Sequence, residues 1–560
     1  MRRNWVLHPP GDEAHRLATA LKINPLIAGL LLRRGLSDHG EIDRFLNPSF
    51  EHLQDPFVFV DMAKAVERIR QAIRQKEKIL VYGDYDVDGI TGSAILYPVL
   101  KKLGADVEVH IPHRMNDGYG LNRDSLEKLL RQKFTLVITV DNGITGADEV
   151  RYLNEKGADV IIVDHHTPKE EVPPAFAIVS SVAGGKGDNN LAACGLAFKV
   201  AWALLGSLEQ ALEYLDLVAV GTVADLAPVL GDNRIILKLG LPLLAKTKRP
   251  GLRALMEVAK IEKHFVSYRD IAFGLGPRIN ASGRMGSPLA AFKLLTTENP
   301  LEARNLAQIL DQGNRDRQRV EADAFEEAIG QVEMDPGKEE QKIIVLENAA
   351  WHEGVLGIIA ARLVERYRKP AIVISLKGNV GKGSGRSIPS FSIYDAMLPH
   401  ETLMVNFGGH AQACGLTIQK ENIQALRQSL NRADYKMGDL SEGVDLAVDG
   451  QMLAADIGAP FLKALGQMTP FGPGNPKPLF VSKNMKVRGE VRKRGKDTLQ
   501  CWMTDQAGKI TLEVIGFRSY GRWMSDGQEK SAVDIVYQPA LKTFNGITSI
   551  QLELEDWRSG

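Results

Sequence analysis

Residues 78–89 read KILVYGDYDVDG, and this stretch indicates the fold class of the chain. Residues 78–82 form an apolar run that is typical of a buried strand, and Asp84, Asp86 and Asp88 follow it at alternate positions. After Gly89 the apolar residues recur at helical spacing, so the three acids lie in a turn between a strand and a helix. Open α/β sheets bind ligands at such turns, beyond the carboxyl ends of their strands.

The three neighbouring carboxylates favour a metal site. Acids this close repel one another unless a cation neutralises them, and clusters of oxygen ligands suit hard divalent ions such as Mg²⁺ or Mn²⁺. The alternative is an acidic turn that only caps the next helix, because Asp is common at that position. The metal site requires further ligands from elsewhere in the chain.

Apolar runs alternate with helix-like segments over the residues that follow. The predicted strands are residues 79–82, 107–111, 136–140, 160–163 and 177–179. This alternation predicts a parallel sheet covered by helices. The sequence DNG (residues 141–143) follows the third predicted strand, and DHH (residues 164–166) follows the fourth. A further acid, Asp225, follows an apolar segment that we predict to be a helix.

Each of these polar residues has a structural explanation when it is taken alone. DNG suits a plain turn, a lone histidine is usually a hydrogen-bonded structural residue, and Asp225 suits a helix end. In a parallel sheet, however, the carboxyl ends of all strands face the same edge, so these side chains can meet in one crevice. Such a set of carboxylates and imidazoles is enough for two ions, which clamp the attacking and leaving oxygens of a phosphoryl displacement.

These motifs, in this order, resemble the DHH phosphoesterase superfamily, and within it the RecJ family. Asp84 stands where the related pyrophosphatases and small-nucleotide phosphodiesterases normally have histidine. The resemblance extends over essentially the whole chain. It implies a single-strand-specific 5′→3′ DNA exonuclease that releases 5′-mononucleotides by two-metal-ion hydrolysis, with Mn²⁺ or Mg²⁺, in DNA recombination and repair.

The resemblance also implies roles for individual residues. It assigns six metal ligands. Asp84 and Asp86 would hold one ion, Asp88, His165 and Asp225 would hold the other, and Asp141 would bridge the two. His166 would contact the scissile phosphate, and Asp164 would orient the histidine pair. His166, Asp141 and Asp164 are thus the expected catalytic residues.

Two glycine-rich segments are candidates for substrate contact. Residues 273–284 (FGLGPRINASGR) suit a loop that contacts phosphate, although in isolation an ordinary surface loop is the better interpretation of them. The family resemblance favours substrate binding here, by Arg278, Asn280, Ser282 and Arg284. Residues 378–386, a basic glycine-rich loop in our prediction, and Gly-Gly-His at residues 408–410 resemble the DHH-associated domain. That resemblance implies substrate contacts by Arg386 and His410, whereas a turn beside a structural histidine is the alternative.

The rest of the chain predicts a multidomain α/β protein with a C-terminal barrel. The predicted domains are a lead-in (1–60), a parallel-sheet DHH catalytic domain (61–298), a long connecting helix (299–335), a smaller α/β DHH-associated domain (336–440) and an OB-fold nucleic-acid-binding domain (441–560). The barrel region combines basic and aromatic residues, as single-strand binders do: Lys483, Lys486, Arg488, Arg492, Lys493, Arg494 and Lys496, with Trp502, Phe517, Tyr520, Trp523 and Tyr537. A solvated charge run over core aromatics is the alternative interpretation.

Composition limits the other possibilities. The 69 basic and 69 acidic residues of the 560 cancel, so a nucleic-acid surface must be a local patch. Three scattered cysteines and the lack of a signal-type or membrane-spanning apolar run predict a cytoplasmic protein with no membrane contact. We expect a monomer that binds single-stranded DNA, and the resemblance adds a single-strand binding protein and a RecQ-type helicase as partners. The alternatives are a phosphodiesterase for short oligonucleotides or cyclic dinucleotides, a pyrophosphatase, or a catalytically silent scaffold.

Overall fold

The computed structural model describes residues 3–114, 117–118, 120–182, 190–262, 264–433, 435, 445–527, 532–544 and 547–559. The chain forms two compact units. Unit 1 comprises residues 1–53, 228–239 and 442–560, and unit 2 comprises residues 54–227 and 240–441. No helix of the described residues combines the length and the apolarity that crossing a membrane requires.

Unit 2 begins with a parallel sheet covered by helices. The elements that precede it in the chain belong to unit 1: β1 (Asn4–Leu7), α1 (Asp12–Leu21), α2 (Pro25–Arg33) and α3 (His39–Leu46). The sheet and its helices are α4 (Met62–Gln75), β2 (Lys78–Gly83), α5 (Val87–Lys102), β3 (Asp106–His110), α6 (Arg123–Leu130), β4 (Leu136–Val140), α7 (Ala147–Glu155), β5 (Asp159–Asp164), β6 (Ala177–Ser180), α8 (Ala193–Leu205), α9 (Leu208–Ala211) and α10 (Leu215–Ala224). The strand order is β3-β2-β4-β5-β6, and every neighbouring pair is parallel. The central strand β4 is buried throughout, which explains its unbroken apolar sequence. The predicted parallel sheet is confirmed.

A helical region follows the sheet. It contains α11 (Gly231–Ala245), α12 (Pro250–Val258), α13 (Tyr268–Asp270), a π-helical turn (Ile271–Leu275), α14 (Gly276–Met285), α15 (Pro288–Thr296) and α16 (Pro300–Met334). The predicted connecting helix is confirmed as α16, whose 35 residues extend about 52 Å at 1.5 Å per residue. The predicted glycine-rich loop at 273–284 is wrong, because these residues form the π-helical turn and α14. Pro277 suits the first turn of that helix, where it needs no N–H partner.

A second, mixed sheet completes unit 2. Its elements are β7 (Ile344–Asn348), α17 (Leu356–Tyr367), β8 (Ala371–Lys377), β9 (Val380–Arg386), α18 (Ile393–Met397), β10 (Met404–His410), β11 (Ala413–Gln419) and α19 (Ile423–Arg432), with the strand order β10-β11-β9-β8-β7. The predicted loop at 378–386 is therefore mostly strand. Glycine suits this strand because a Cβ at Gly381, Gly383 or Gly385 would lie within 2.7 Å of a core side chain.

Unit 1 contains the barrel. Its C-terminal elements are β12 (Asp445–Val448), β13 (Gly450–Gln451), α20 (Ala459–Gln467), β14 (Phe480–Arg494), β15 (Thr498–Thr504), β16 (Thr511–Gly516), α21 (Tyr520–Ser525), β17 (Ala532–Phe544) and β18 (Ile547–Ser559). Strands β14, β15, β16, β18 and β17 close into a barrel through the β14–β17 pair, so the predicted OB-type barrel is confirmed. Leu30, Phe461 and Trp523 belong to one apolar core, which joins the N-terminal helices to the barrel.

Candidate metal centre and substrate cleft

Asp86 is both a helix cap and part of the acidic cluster. Its Oδ1 accepts hydrogen bonds from the N–H groups of Asp88 (2.9 Å) and Gly89 (3.2 Å) at the start of α5. The cap interpretation is therefore right for Asp86, and it is compatible with metal binding because both bonds go to Oδ1 and no hydrogen bond joins Oδ2 to another described residue. A Cβ at residue 89 would lie 2.5 Å from the backbone nitrogen of Asp84, so glycine allows α5 to begin directly against the turn.

The carboxylate of Asp88 is held by the first turn of α8. Its Oδ2 accepts a hydrogen bond from the N–H of Ala193 (2.7 Å), and its Oδ1 accepts one from the N–H of Cys194 (2.8 Å). Both donors belong to the amino end of a helix, where unpaired N–H groups and the helix dipole favour an anion. The side chain is buried, so these two bonds determine where its oxygens lie.

The turn after β4 places Asp141 by an unusual backbone conformation. Asp141 has φ +65°, in the left-handed region that few non-glycine residues adopt. The side-chain amide of Asn142 donates to the carbonyls of Val140 (2.9 Å) and Tyr82 (3.2 Å), which joins the ends of β4 and β2. Strain of this kind persists where the surrounding structure enforces it, and it often marks a functional site.

The two histidines at the end of β5 have different environments. His166 Nδ1 lies 2.7 Å from Asp164 Oδ1, and Asp164 Oδ2 accepts the N–H of Ile144 (3.1 Å). Asp164 therefore orients the imidazole of His166, the neighbour of the predicted ligand His165. His165 Nε2 instead points into the acidic cluster, 3.3 Å from Asp141 Oδ1.

All six predicted metal ligands come together at the carboxyl edge of the sheet. Their candidate ligand atoms form overlapping sets, each within 4.8 Å: Asp84, Asp86 and Asp141; Asp88, His165 and Asp225; and Asp141, His165 and His166. Among the described residues, Asp84 Oδ1 and His165 Nε2 are buried without a hydrogen-bond partner. The first two sets are rich in oxygen and contain at most one imidazole, which suits Mg²⁺ or Mn²⁺.

The electrostatics of the cluster also fit cations. Burial, and then the charge of Asp86, raise the pKa values of Asp84 and Asp141 well above the usual range. Burial, and then the charge of Asp88, raise the pKa of Asp225 to about 9. Without a cation these carboxyls resist ionisation, and bound divalent ions would remove that penalty.

A cavity of about 860 Å³ lies within unit 2, between the edge of the first sheet and one face of the second. Its lining includes Arg114, Gly354 and Gly357. Arg284 donates to the carbonyl of Gly354 (3.1 Å), and a Cβ at Gly357 would lie 2.7 Å from Nη2 of Arg386. Both guanidiniums therefore reach the cavity wall.

Arg114 joins Arg284 and Arg386 in a cluster of cations. Burial, and then the charge of Arg114, lower the pKa of Arg284 to about 10. The pKa of Arg386 is also lowered, chiefly by burial and to a smaller extent by Arg114. Arg114 was not among the predicted contacts, although its position shortly after β3, at the same sheet edge as the acids, was a usable signal. Clustered guanidiniums suit phosphate.

Other predicted substrate contacts have partners in the protein. Arg278 donates to Asp311 on α16 (2.9 Å) and to the carbonyl of Gly274 (2.8 Å). Ser282 is buried and donates to a carbonyl of its own helix, while Asn280 Oδ1 accepts the N–H of Val87 (3.2 Å) at the start of α5. These three residues support α14 and its packing, whereas His410 is exposed on the edge strand β10.

The barrel has a mixed basic and aromatic surface. Trp502 is 48% exposed and lies opposite Arg488 on the neighbouring strand, and Lys493 Nζ lies 5.7 Å from the ring of Tyr520. Trp523 and Tyr537, in contrast, are fully buried in the barrel core. For these two residues the alternative interpretation, aromatics of the core, is therefore right.

Three family models match the chain: the DHH family, N-terminal domain, over residues 78–222, the DHHA1 domain over residues 340–433, and the RecJ OB domain over residues 448–556. The chain is similar to the single-stranded-DNA-specific exonuclease RecJ of Bacillus subtilis, with 36% identity over 99% of this chain and 71% of that protein. It is 31% identical to the protein of the same name from Dickeya dadantii over 95% of both chains.

Among solved structures, RecJ of Thermus thermophilus in complex with Mn²⁺ is similar to this fold. The TM-score is 0.83 at 29% identity, over 100% of this chain and 80% of that one. The likeness thus extends through both sheets and the barrel, and it agrees with the order of the three domain matches. This chain belongs to the RecJ family of DHH phosphoesterases.

Proposed function

We propose that this chain is a single-strand-specific 5′→3′ DNA exonuclease that releases 5′-mononucleotides with two divalent ions, Mn²⁺ or Mg²⁺. The observation that carries the proposal is the gathering of six ligand side chains into adjoining sets at one sheet edge. The relatives named as single-stranded-DNA-specific exonucleases support the substrate. The expected role is in DNA recombination and repair.

The proposed ligand sets follow the geometry of the cluster. Asp84 and Asp86 would hold one ion, and Asp88, His165 and Asp225 would hold the other. Asp141 would serve both ions, because its carboxylate belongs to the first set and also lies 3.3 Å from His165 Nε2. Such a pair of ions, when bound, supplies a water of lowered pKa and neutralises charge on the attacking and leaving oxygens.

The chain's own groups would bind and orient the strand. Asp164 holds the imidazole of His166 through Nδ1 and so fixes the orientation in which the ring would contact the scissile phosphate. Arg114, Arg284 and Arg386 form a cationic end of the cleft, where the terminal 5′-phosphate would bind by charge-assisted hydrogen bonds. A phosphate fixed there places the first phosphodiester, rather than an internal one, beside the acidic cluster, which gives exonuclease action from the 5′ end.

We also propose domain boundaries, a role for the barrel, partners, and roles for the remaining predicted site residues. The domain boundaries are those predicted at residues 60, 298, 335 and 440, and the barrel grips a single strand through the surface that carries Trp502 and Arg488. We infer a cytoplasmic monomer that works with a single-strand binding protein and a RecQ-type helicase. Arg278, Asn280 and Ser282 act as supports of α14, and His410 as a substrate contact.

The proposal is tested by digesting a single-stranded oligonucleotide that carries a label at either end, with EDTA, Mg²⁺ or Mn²⁺. Immediate release of a labelled mononucleotide from the 5′ end, lost in EDTA and in Asp141→Ala, is the expected result. Early release from the 3′ end would refute the polarity. Strand binding without cleavage under every metal condition would favour a scaffold, and cleavage confined to dinucleotides would favour a small-nucleotide phosphodiesterase.

A further inference from the structure

A π-helical turn (Ile271–Leu275) interrupts the helix that runs from α13 into α14. The N–H of Gly276 donates to the carbonyl of Ile271, five residues earlier, which is the π pattern. The turn packs against the end of α10, because a Cβ at Gly276 would lie 3.4 Å from the Cβ of Ala224, the residue before Asp225. π-helical turns are rare and occur frequently at functional sites. The interrupted helix therefore borders a predicted metal ligand.

Tyr268 is the first residue of α13, and a capping box fixes its backbone. Ser267 Oγ accepts the N–H of Asp270 (3.2 Å), and Asp270 Oδ2 accepts the N–H of Ser267 (2.8 Å). The hydroxyl of Tyr268 is buried, and among the described residues it has no hydrogen-bond partner. A buried hydroxyl without a partner destabilises a folded protein, and a role beside a bound ion is one explanation for keeping it.

The charge of Asp225 reaches this hydroxyl. Burial, and then the charge of Asp225, raise the pKa of Tyr268, so the phenol is a hydrogen-bond donor at neutral pH. In the candidate ligand set with Asp88 and His165, Asp225 offers one ligand atom. Its second carboxylate oxygen is then available to a donor, and charged acceptors of this kind form the stronger hydrogen bonds.

Asp225 lacks the hydrogen bonds that fix other acids of the cluster. Asp86 and Asp88 each accept two backbone N–H groups. Asp225 Oδ2 lies 3.8 Å from His165 Nε2, which is too long for a hydrogen bond, and no donor in the described part of the chain is bonded to this carboxylate. Ligating carboxylates are normally held by hydrogen bonds, and loss of such a partner typically lowers metal affinity or activity roughly 10- to 100-fold.

The unpaired donor and the unpaired acceptor are therefore complementary. We propose that Tyr268 is a positioning residue of the metal centre: its hydroxyl donates a hydrogen bond to the carboxylate oxygen of Asp225 that does not bind the ion. The bond would hold Asp225 in the orientation that its ligand set with Asp88 and His165 requires. This inference rests on the metal centre of the proposed function.

The test compares Tyr268→Phe with Tyr435→Phe, because each change removes only a hydroxyl. The Tyr435 hydroxyl is also buried without a partner among the residues that the structure describes, but burial alone raises its pKa, and its ring packs on Phe391 in the core of the second sheet. Both variants should resist urea in EDTA at least as well as the unsubstituted chain, because neither loses a hydrogen bond. We expect Tyr268→Phe, but not Tyr435→Phe, to raise the Kd of one of two Mn²⁺ ions about tenfold in calorimetry.

Two further readouts follow the same bond. For Tyr268→Phe, the Mn²⁺ concentration that gives half-maximal digestion should rise by the same factor, while the KM for the oligonucleotide at saturating Mn²⁺ should be unchanged. In the background of Asp225→Asn, which removes the charged acceptor, the addition of Tyr268→Phe should cause no further loss of stabilisation by a fixed Mn²⁺ concentration. An equal further loss in that background would mean that the hydroxyl acts elsewhere, and it would overturn the assignment.

The possible outcomes separate the inference from the function on which it rests. An unchanged Mn²⁺ affinity in Tyr268→Phe, or the same loss of affinity in Tyr435→Phe, would overturn the role of Tyr268 alone. An unsubstituted chain that binds two Mn²⁺ ions without digesting the oligonucleotide would overturn the proposed function, while calorimetry would still decide the role of Tyr268. Failure of the unsubstituted chain to bind Mn²⁺ would overturn both.

Discussion

Asp225→Asn should stabilise the metal-free protein while it removes most of the stabilisation by metal. The Asp225 carboxylate is largely buried, with Oδ2 3.8 Å from His165 Nε2, and its pKa of about 9 is raised first by burial and then by Asp88. Folding raises the pKa of the Asp225 carboxyl above its unfolded value of 3.8. The free energy of unfolding is therefore highest, as far as this group is concerned, at pH values below 3.8. Above that value the folded protein loses stability progressively until the pH passes about 9.

The magnitude follows from that shift. Between pH 3.8 and pH 7.5 the raised pKa of Asp225 lowers the free energy of unfolding by about 1.4 kcal/mol per pH unit, to a limit of roughly 5 kcal/mol. The neighbouring acids share the same repulsion, so we expect the substitution to recover about 2–4 kcal/mol of the free energy of unfolding at pH 7.5 in EDTA. Near pH 4 the gain should disappear, because the carboxyl is then protonated in both states.

Metal should reverse the order of stability. A ligand at 100 times its Kd adds about 2.7 kcal/mol to the free energy of unfolding, and the variant, with one ligand fewer, should gain much less. Denaturant titrations in EDTA and in Mn²⁺, at two pH values, measure both effects, and Asp323→Asn on the exposed face of α16 is the control. A variant that is less stable than the unsubstituted chain in EDTA at pH 7.5, or that keeps the full response to Mn²⁺, would refute the reasoning.

Three further substitutions test other parts of the molecule. Arg234→Met should lower the free energy of unfolding by about 3–5 kcal/mol in denaturant titrations, because the buried guanidinium donates to three backbone carbonyls; an unchanged midpoint would contradict this. Asp164→Ala frees the imidazole of His166 and should lower kcat roughly 10- to 150-fold, the equivalent of about 1.5–3 kcal/mol, with Mn²⁺ binding retained in calorimetry. Trp502→Ala should weaken oligonucleotide binding by about 1–3 kcal/mol in fluorescence anisotropy, whereas Phe57→Ala, an equally exposed aromatic in unit 2, should have no effect.

Local sequence patterns were sufficient to predict the first sheet and the acidic residues at its edge. The buried strand β4 was predicted with its observed bounds, because an unbroken apolar run between polar segments suits a strand covered on both faces. The parallel arrangement then brings Asp84, Asp141 and His165 to one edge, since all carboxyl ends point the same way. The long helix α16 was equally predictable, because its residues favour helix and no proline interrupts it after its first turn.

The secondary-structure predictions were wrong at the two glycine-rich segments. Residues 273–284 and 378–386 both suggested phosphate-binding loops, yet they form a helix and a strand. Glycine permits a loop, but it also permits close packing, and only the neighbours decide between the two. Gly383 lies against Leu416, a residue of β11 that strand pairing brings to it, and no local pattern contains that information.

The sequence by itself thus determined the classes of elements, the edge at which the acids meet and the ligand types that a divalent ion needs. Those properties depend on apolar periodicity and on strand direction, which are local. Tertiary structure alone decided that helix N–H groups hold Asp88, that Arg114 joins the cationic end of the cleft, and that Trp523 is core rather than surface. Each of these depends on contacts between residues far apart in the chain, whose distances arise only when the elements pack.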